Sequence, residues 1–283
     1  MTGPVVSVDW LADRLDAARV LDVRGEVRTS EPRYHAYPER YREGHIPGAV
    51  FADWRHDFTD RTATVPVTMP SPAQFAEDAT RLGIGDDTVV VAYDAYRNAL
   101  AGRIVWVLRS YGHAAAHLLD GGLAVWQAAG FPLAAGDVQP APADPPHSVP
   151  AAQHGLIDLA AMRELVDNGE LQVVDARSAR QYTGAETHSL HAGHIPGARN
   201  APYEGLLAAN GTFLAPDQLR ERFAQAGVDL DRPLVAYCNG GVSATVVAHA
   251  VQLAGAPRPL VYDGSWNEWG GRDDTPIEHD GPA

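Results

Sequence analysis

The sequence predicts an α/β protein of two similar domains, each a mainly parallel sheet flanked by helices. Three observations carry this reading. Four sequence blocks recur in the same order in the two halves, a proline-rich stretch lies between the copies, and short β-branched runs alternate with stretches of helical periodicity.

The repeat comes first. "EGHIPGAV" at 43–50 returns as "AGHIPGAR" at 192–199. "VLDVRGE" at 20–26 returns as "VVDARSA" at 173–179. "VVVAYDAYRNA" at 89–99 matches "PLVAYCNGGVSA" at 233–244, and "LLDGGLAVWQAAG" at 118–130 matches "LVYDGSWNEWG" at 260–270. The offset is 149 between Gly44 and Gly193, 144 between Asp94 and Cys238, and 143 between Trp126 and Trp269. Such constant spacing points to duplication. Between the copies, "GDVQPAPADPPHSVP" at 136–150 holds five prolines and few large apolar side chains, so it reads as an extended linker. The expected division is a first domain over 1–137, a linker over 138–149 and a second domain over 150–283.

The second half reads as alternating strand and helix. "LQVVDA" at 171–176, "PLVAYC" at 233–238 and "LVYD" at 260–263 are short apolar runs of the kind buried in parallel sheets. "DLAAMRELVDNG" at 158–169 places Leu159, Met162, Leu165 and Val166 at helical spacing, with an Asp to open it and a Gly to close it. "APDQLRERFAQAG" at 215–227 and "SATVVAHAVQLAG" at 243–255 read as two further helices.

Composition limits the function classes. The chain has 283 residues, 45% of them hydrophobic, and a formal net charge of −14 without a Lys/Arg-rich run. Nucleic acid is therefore a poor partner. No stretch approaches the roughly 20 apolar residues of a membrane span, and the first residues carry no secretory pattern. One cysteine excludes an internal disulfide framework and a cysteine-based zinc site, and fits a reducing, cytoplasmic setting.

That cysteine is the centre of the argument. Cys238 ends a predicted strand, and the next helix begins about five residues later. Open α/β sheets place ligands at this edge. Gly240 and Gly241 allow a tight loop whose amides turn inward, and the helix adds the free N–H groups of its first turn. The result is a cradle for an anion with sulfur at its centre, and the thiolate is the nucleophile. In the first copy Asp94 stands in the same place. It reads as a carboxylate capping its loop, so the first copy has no nucleophile.

Over nearly its full length the chain resembles the tandem-domain rhodanese sulfurtransferases, through two copies of "GHIPGA", "VVDAR", "YCNGGVSA" and "YDGSWNEWG". The resemblance implies two rhodanese-like domains, the first catalytically inert and the second carrying a cysteine that becomes a persulfide. Cys238 is then the catalytic residue, with Asn239, Gly240, Gly241, Val242, Ser243 and Ala244 forming the substrate loop. A small anionic donor, thiosulfate or 3-mercaptopyruvate, supplies the sulfur. Cyanide or a thiol, including that of a thioredoxin-like protein, accepts it. No metal or organic cofactor is implied. Two other classes fit the sequence less well. A cysteine phosphatase needs an arginine six residues after its cysteine, where this chain has Ala244, and a non-catalytic binding module has no use for the thiol.

For the donor, the resemblance matches Arg180 to an arginine beside the pocket, while Arg177 is expected to anchor loops. The mercaptopyruvate branch has a second arginine shortly before "GHIPGA", and "AETHSLHAGHIPGA" lacks it. His188 and His191 are left as possible substitutes. The neutral loop "CNGGVS" leans toward mercaptopyruvate, yet Gly240 occupies the place of a serine assigned to that chemistry. The missing arginine tips the expectation to thiosulfate. Ser243 is expected to cap the helix after the loop. His45 and His194 recur in both halves and so read as structural, with His45 left open as a pocket wall. Trp266 and Trp269 read as core aromatics.

Overall fold

The computed structural model describes residues 3–169 and 171–279. It divides into two compact units. Unit 1 holds the chain up to Thr62, Met69–His154 and Ala208–Phe213, and unit 2 holds Ala63–Thr68, Gly155–Leu207 and the chain from Leu214 onward. The proline-rich residues 138–149 run without helix or strand. Within unit 1 they are tied down by hydrogen bonds, among them Ala143 N to the Thr80 carbonyl at 2.8 Å and Ser148 N to Asp86 Oδ1 at 2.8 Å.

Unit 1 runs β1 (Val5–Val6), α1 (Val8–Ala12), β2 (Ala18–Asp22), β3 (Gly25–Val27), β4 (Tyr34–Ala36), α2 (Pro38–Glu43), β5 (Val50–Phe51), α3 (Pro72–Arg81), β6 (Val89–Tyr93), α4 (Ala99–Ser110), β7 (Ala116–Leu119) and α5 (Gly122–Ala128). Five strands form a parallel sheet in the order β1-β7-β6-β2-β5, and β3 and β4 pair as a separate antiparallel hairpin.

Unit 2 runs β8 (Leu156–Ile157), α6 (Leu159–Asn168), β9 (Gln172–Asp175), α7 (Ala179–Tyr182), β10 (Arg199–Asn200), α8 (Pro216–Gln225), β11 (Leu234–Tyr237), α9 (Ser243–Leu253), β12 (Leu260–Tyr262) and α10 (Ser265–Trp269). Its sheet is again parallel, in the order β10-β9-β11-β12-β8. The three predicted strands are β9, β11 and β12. The first predicted helix is α6, opened by the Asp158 side chain accepting from Ala161 N at 2.9 Å and closed by Gly169 at φ 63°. Its Met162 is fully buried beside Val173, Val235, Tyr237, Tyr262, Trp266 and Trp269. Strand β11 sits centrally, with β9 on one side and β12 on the other. Burying both faces of such a strand explains the uninterrupted apolar run "LVAY".

The repeated blocks make the same contacts in each unit. Arg24 pairs with Asp22 at 2.7 Å and donates to the Gly44 carbonyl at 2.6 Å. Arg177 pairs with Asp175 at 2.6 Å and donates to the Gly193 carbonyl at 2.8 Å. Tyr237 donates to Asp175 Oδ2 at 2.6 Å and accepts from Ile195 N at 3.2 Å, as Tyr93 does with Asp22 and Ile46. These arginines and tyrosines tie "GHIPGA" to the sheet. Removing one partner of such a buried pair costs on the order of 3–5 kcal/mol. Burial, and after it Asp175, push the Tyr237 hydroxyl well above the usual phenol range, so it stays a donor. Among the described residues, no helix is long and apolar enough to cross a membrane.

Candidate active site

Strand β11 ends at Tyr237, and Cys238 follows at the carboxyl edge of the sheet. The cysteine is free and 2% exposed. Residues 239–242 lead from it into α9. Gly241 takes φ +69°, a left-handed angle that glycine adopts without steric cost. Gly240, Val242 and Ala244 are buried, and Asn239 and Ser243 are half-buried. The amides of Asn239, Gly240, Val242, Ser243 and Ala244 have no acceptor among the described residues.

Helix α10 holds this loop. The Trp266 amide donates to the Cys238 carbonyl at 2.9 Å, and the Asn267 amide to the Asn239 carbonyl at 2.7 Å. Fully buried Ser265 does more. Its Oγ accepts from the amides of Cys238 at 3.2 Å and Gly241 at 3.0 Å, and donates to the Tyr262 carbonyl at 2.8 Å. Ser265 stands at φ +50°, a strained angle for a residue with a Cβ. In the sequence "YDGSWNEWG" stands out for its tryptophans and gives Ser265 no role. The signal was present: the first copy reads "LDGGL", and its Gly122 takes φ +56° at the matching place. A Cβ at Gly122 would lie 2.2 Å from the Asp94 carbonyl. A serine at a position that asks for glycine marks a side chain in use.

Asp94 shows what the equivalent loop of unit 1 binds. Its buried carboxylate accepts four amides: Tyr96 at 2.8 Å and Asn98 at 3.1 Å on Oδ1, Leu100 at 2.9 Å and Ala101 at 2.9 Å on Oδ2. Burial raises its pKa, and the four donors oppose that rise. By register the corresponding amides of unit 2 are those of Gly240, Val242, Ala244 and Thr245. A loop of this form wraps a carboxylate in unit 1, and in unit 2 the residue at the matching place is a buried thiol. Thr245, outside the predicted loop, is in register with Ala101, but its amide donates to the Val242 carbonyl at 3.1 Å.

One expectation is corrected. Ser243 does not cap the helix: Val242 is at the N-cap, no side chain makes a cap bond, and Ser243 is the first helical residue. The left-handed turn at Gly241 is followed at once by φ −87°, ψ −69° at Val242, so the helix is already entered there. The Val242 carbonyl accepts from both the amide and the hydroxyl of Thr245, at 3.1 and 2.7 Å.

The other predicted residues fall into two groups. Arg177 is buried, with its guanidinium carbon 4.4 Å from the Trp266 ring centre, and serves as the anchor the sequence indicated. His45 and His194 donate through Nδ1 to the carbonyls of Tyr41 and Tyr182, each at 2.9 Å, and stack on those rings. Both imidazoles are fixed within their own units. Arg180 lies on α7 at the end of β9, beside β11, with its side chain exposed and its Nε 3.5 Å from Glu186. His188 also meets Glu186, at 3.1 Å, and His191 meets Asp273 at 3.0 Å. Among the described residues, no cluster of three or more His, Cys, Asp or Glu is placed to share a metal ion.

Comparison with known proteins agrees with this duplicated architecture. The rhodanese-like domain family matches twice, over residues 7–129 and 158–272. The chain is similar to the 3-mercaptopyruvate sulfurtransferase of Homo sapiens, at 38% identity covering 94% of this chain and 91% of that protein. It is similar to the thiosulfate sulfurtransferase of Gallus gallus, at 35% identity covering 94% and 92%. Among solved structures it resembles SseA from Escherichia coli, described as a 3-mercaptopyruvate sulfotransferase of the rhodanese fold, with TM-score 0.82, 33% identity and coverage of 94% and 99%.

Proposed function

The chain belongs to the rhodanese family, as two of its domains in tandem, and from that premise we propose that Cys238 carries a sulfane sulfur from a small anionic donor to an acceptor. The enzyme is a sulfurtransferase. The observation that supports the site is Asp94: four amides of the unit 1 loop converge on its carboxylate, and the matching place in unit 2 holds the only thiol of the chain.

The chemistry is covalent catalysis in two steps. The Cys238 thiolate attacks the outer sulfur of thiosulfate. The sulfur–sulfur bond breaks, sulfite leaves with its electron pair, and a cysteine persulfide remains. With 3-mercaptopyruvate the carbon–sulfur bond breaks, and the pyruvate enolate leaves and takes up a proton. In the second step cyanide or a thiolate attacks the outer sulfur and returns Cys238 as thiolate. The amides of Asn239, Gly240, Val242, Ser243 and Ala244, which have no other acceptor among the described residues, hold the negative persulfide as an oxyanion hole holds oxygen. Unit 1, whose cradle is filled by Asp94, serves as the inert domain, and residues 138–149 as its linker to the catalytic one.

Thiosulfate is the donor we assign, with Arg180 as its cation at the sheet edge. The segment from Gln181 to Ala192 supplies no Arg or Lys to grip a carboxylate a second time. The use of 3-mercaptopyruvate as a second donor is supported by relatives of both names at 38% and 35% identity. A thiol acceptor, including that of a thioredoxin-like protein, and the reducing cytoplasm both fit a thiol that must be regenerated. Cys238→Ser tests the proposal. The variant should fold as wild type and lose transfer of sulfur from thiosulfate to cyanide. Transfer retained in the variant would end the persulfide mechanism.

A further inference from the structure

A compact charge cluster stands on α7 and the segment that follows it. Arg180 Nε lies 3.5 Å from one carboxylate oxygen of Glu186, and His188 Nε2 lies 3.1 Å from the other. The Glu186 amide donates to the Arg180 carbonyl at 3.0 Å. The same segment is bound to α10: the Ser189 hydroxyl donates to the Trp266 carbonyl at 3.4 Å, and Trp266 Nε1 to the His191 carbonyl at 3.2 Å. Helix α10 in turn holds the carbonyls of Cys238 and Asn239. Glu186 is therefore on a loop packed against the helix that positions the nucleophile.

The side chains differ in how firmly they are placed. Arg180 is 72% exposed, Glu186 35% and His188 20%. An exposed ion pair contributes only about 0–1 kcal/mol, so an incoming anion can draw Arg180 away from its partner. Glu186 is the better anchored of the two, through His188 and its own amide. Its negative charge then stays in place, 3.5 Å from Arg180 Nε, and opposes an anion that Arg180 binds. That opposition grows with ligand charge, so it weighs twice as much on doubly charged thiosulfate as on singly charged 3-mercaptopyruvate.

We propose that Glu186 is a specificity-determining residue: held by His188 and paired with Arg180, its carboxylate lowers the use of dianionic sulfur donors relative to monoanionic ones. The inference rests on the sulfur-transfer reading above. It accounts for a donor cation being given a carboxylate partner at the edge of an anion site.

Glu186→Gln keeps an acceptor for His188 and removes the charge. At low ionic strength kcat/KM should rise roughly 4- to 10-fold for thiosulfate and roughly 2- to 3-fold for 3-mercaptopyruvate, mainly through KM. Both gains should shrink at high salt. Glu186→Lys should change the donor ratio further in the same direction. An equal change for both donors, a change insensitive to salt, or a fall with thiosulfate would overturn the assignment. The intact mass of wild type and variant after donor treatment separates this from the wider reading. A sulfur adduct with an unchanged donor ratio refutes the role of Glu186 alone, and no adduct on either protein refutes sulfur transfer itself.

Discussion

Ser265→Ala removes an oxygen that two buried amides share. In the native loop Ser265 Oγ lies 3.2 Å from Cys238 N and 3.0 Å from Gly241 N, in a residue with no exposed surface. A buried donor left without an acceptor costs about 1–3 kcal/mol, so two give a loss on the order of 2–4 kcal/mol once local relaxation is included. The left-handed backbone at φ +50° stays strained in the alanine variant. Ser265→Gly relieves that strain and should be less destabilised than alanine by about 1 kcal/mol. Unit 1 uses glycine at the same place, at Gly122 with φ +56°. Urea unfolding of the two variants measures the stability order. Steady-state transfer measures the loop, where the loss of a fixed sulfur position should lower kcat/KM by about 10- to 100-fold. Two variants within 0.5 kcal/mol of wild type, with unchanged kcat/KM, would refute the claim that Ser265 organises the cradle.

Two further perturbations separate the units and the donor contact. Asp94→Ala strips the acceptor from three buried amides and the half-buried one of Tyr96, and should destabilise by on the order of 3–5 kcal/mol in denaturant unfolding, with Asp94→Asn losing less. The activity of the folded fraction should persist, because the thiol belongs to unit 2; a stable Asp94→Ala protein would contradict the filled-cradle reading. Arg180→Ala should lower kcat/KM for both donors by roughly 10- to 150-fold, as loss of a charge-assisted contact. Wild-type values with both donors would place Arg180 outside the pocket.

Much of this was legible in the sequence because it was written twice. The repeat fixed which segments correspond, and β9, β11 and β12 followed from short β-branched runs, as α6 followed from Asp158, Gly169 and the spacing between them. Cys238 stood out by its rarity and its place between strand and glycines. Strands β8 and β10 and helix α7 were not foreseen, since two to four residues carry no periodicity. Ser265 was hidden for a different reason: its importance comes from a backbone angle and from two amides 24 and 27 residues away in the chain. Ser243 misled because a hydroxyl at a helix start usually caps, and here the turn at Gly241 moves the helix entry one residue earlier. The Glu186 partnership with Arg180 and His188 depends on how a loop folds back, which no local pattern encodes.

The central claim is that Cys238 holds sulfur covalently between two half-reactions, and intact-mass spectrometry reads that state directly. Wild-type protein treated with thiosulfate in the absence of acceptor should gain one sulfur, about 32 Da, lost again on addition of cyanide or a reducing thiol. Cys238→Ser under the same treatment should gain nothing. Wild-type protein that turns over thiosulfate yet never carries the added mass, or an adduct that also forms on Cys238→Ser, would contradict the account.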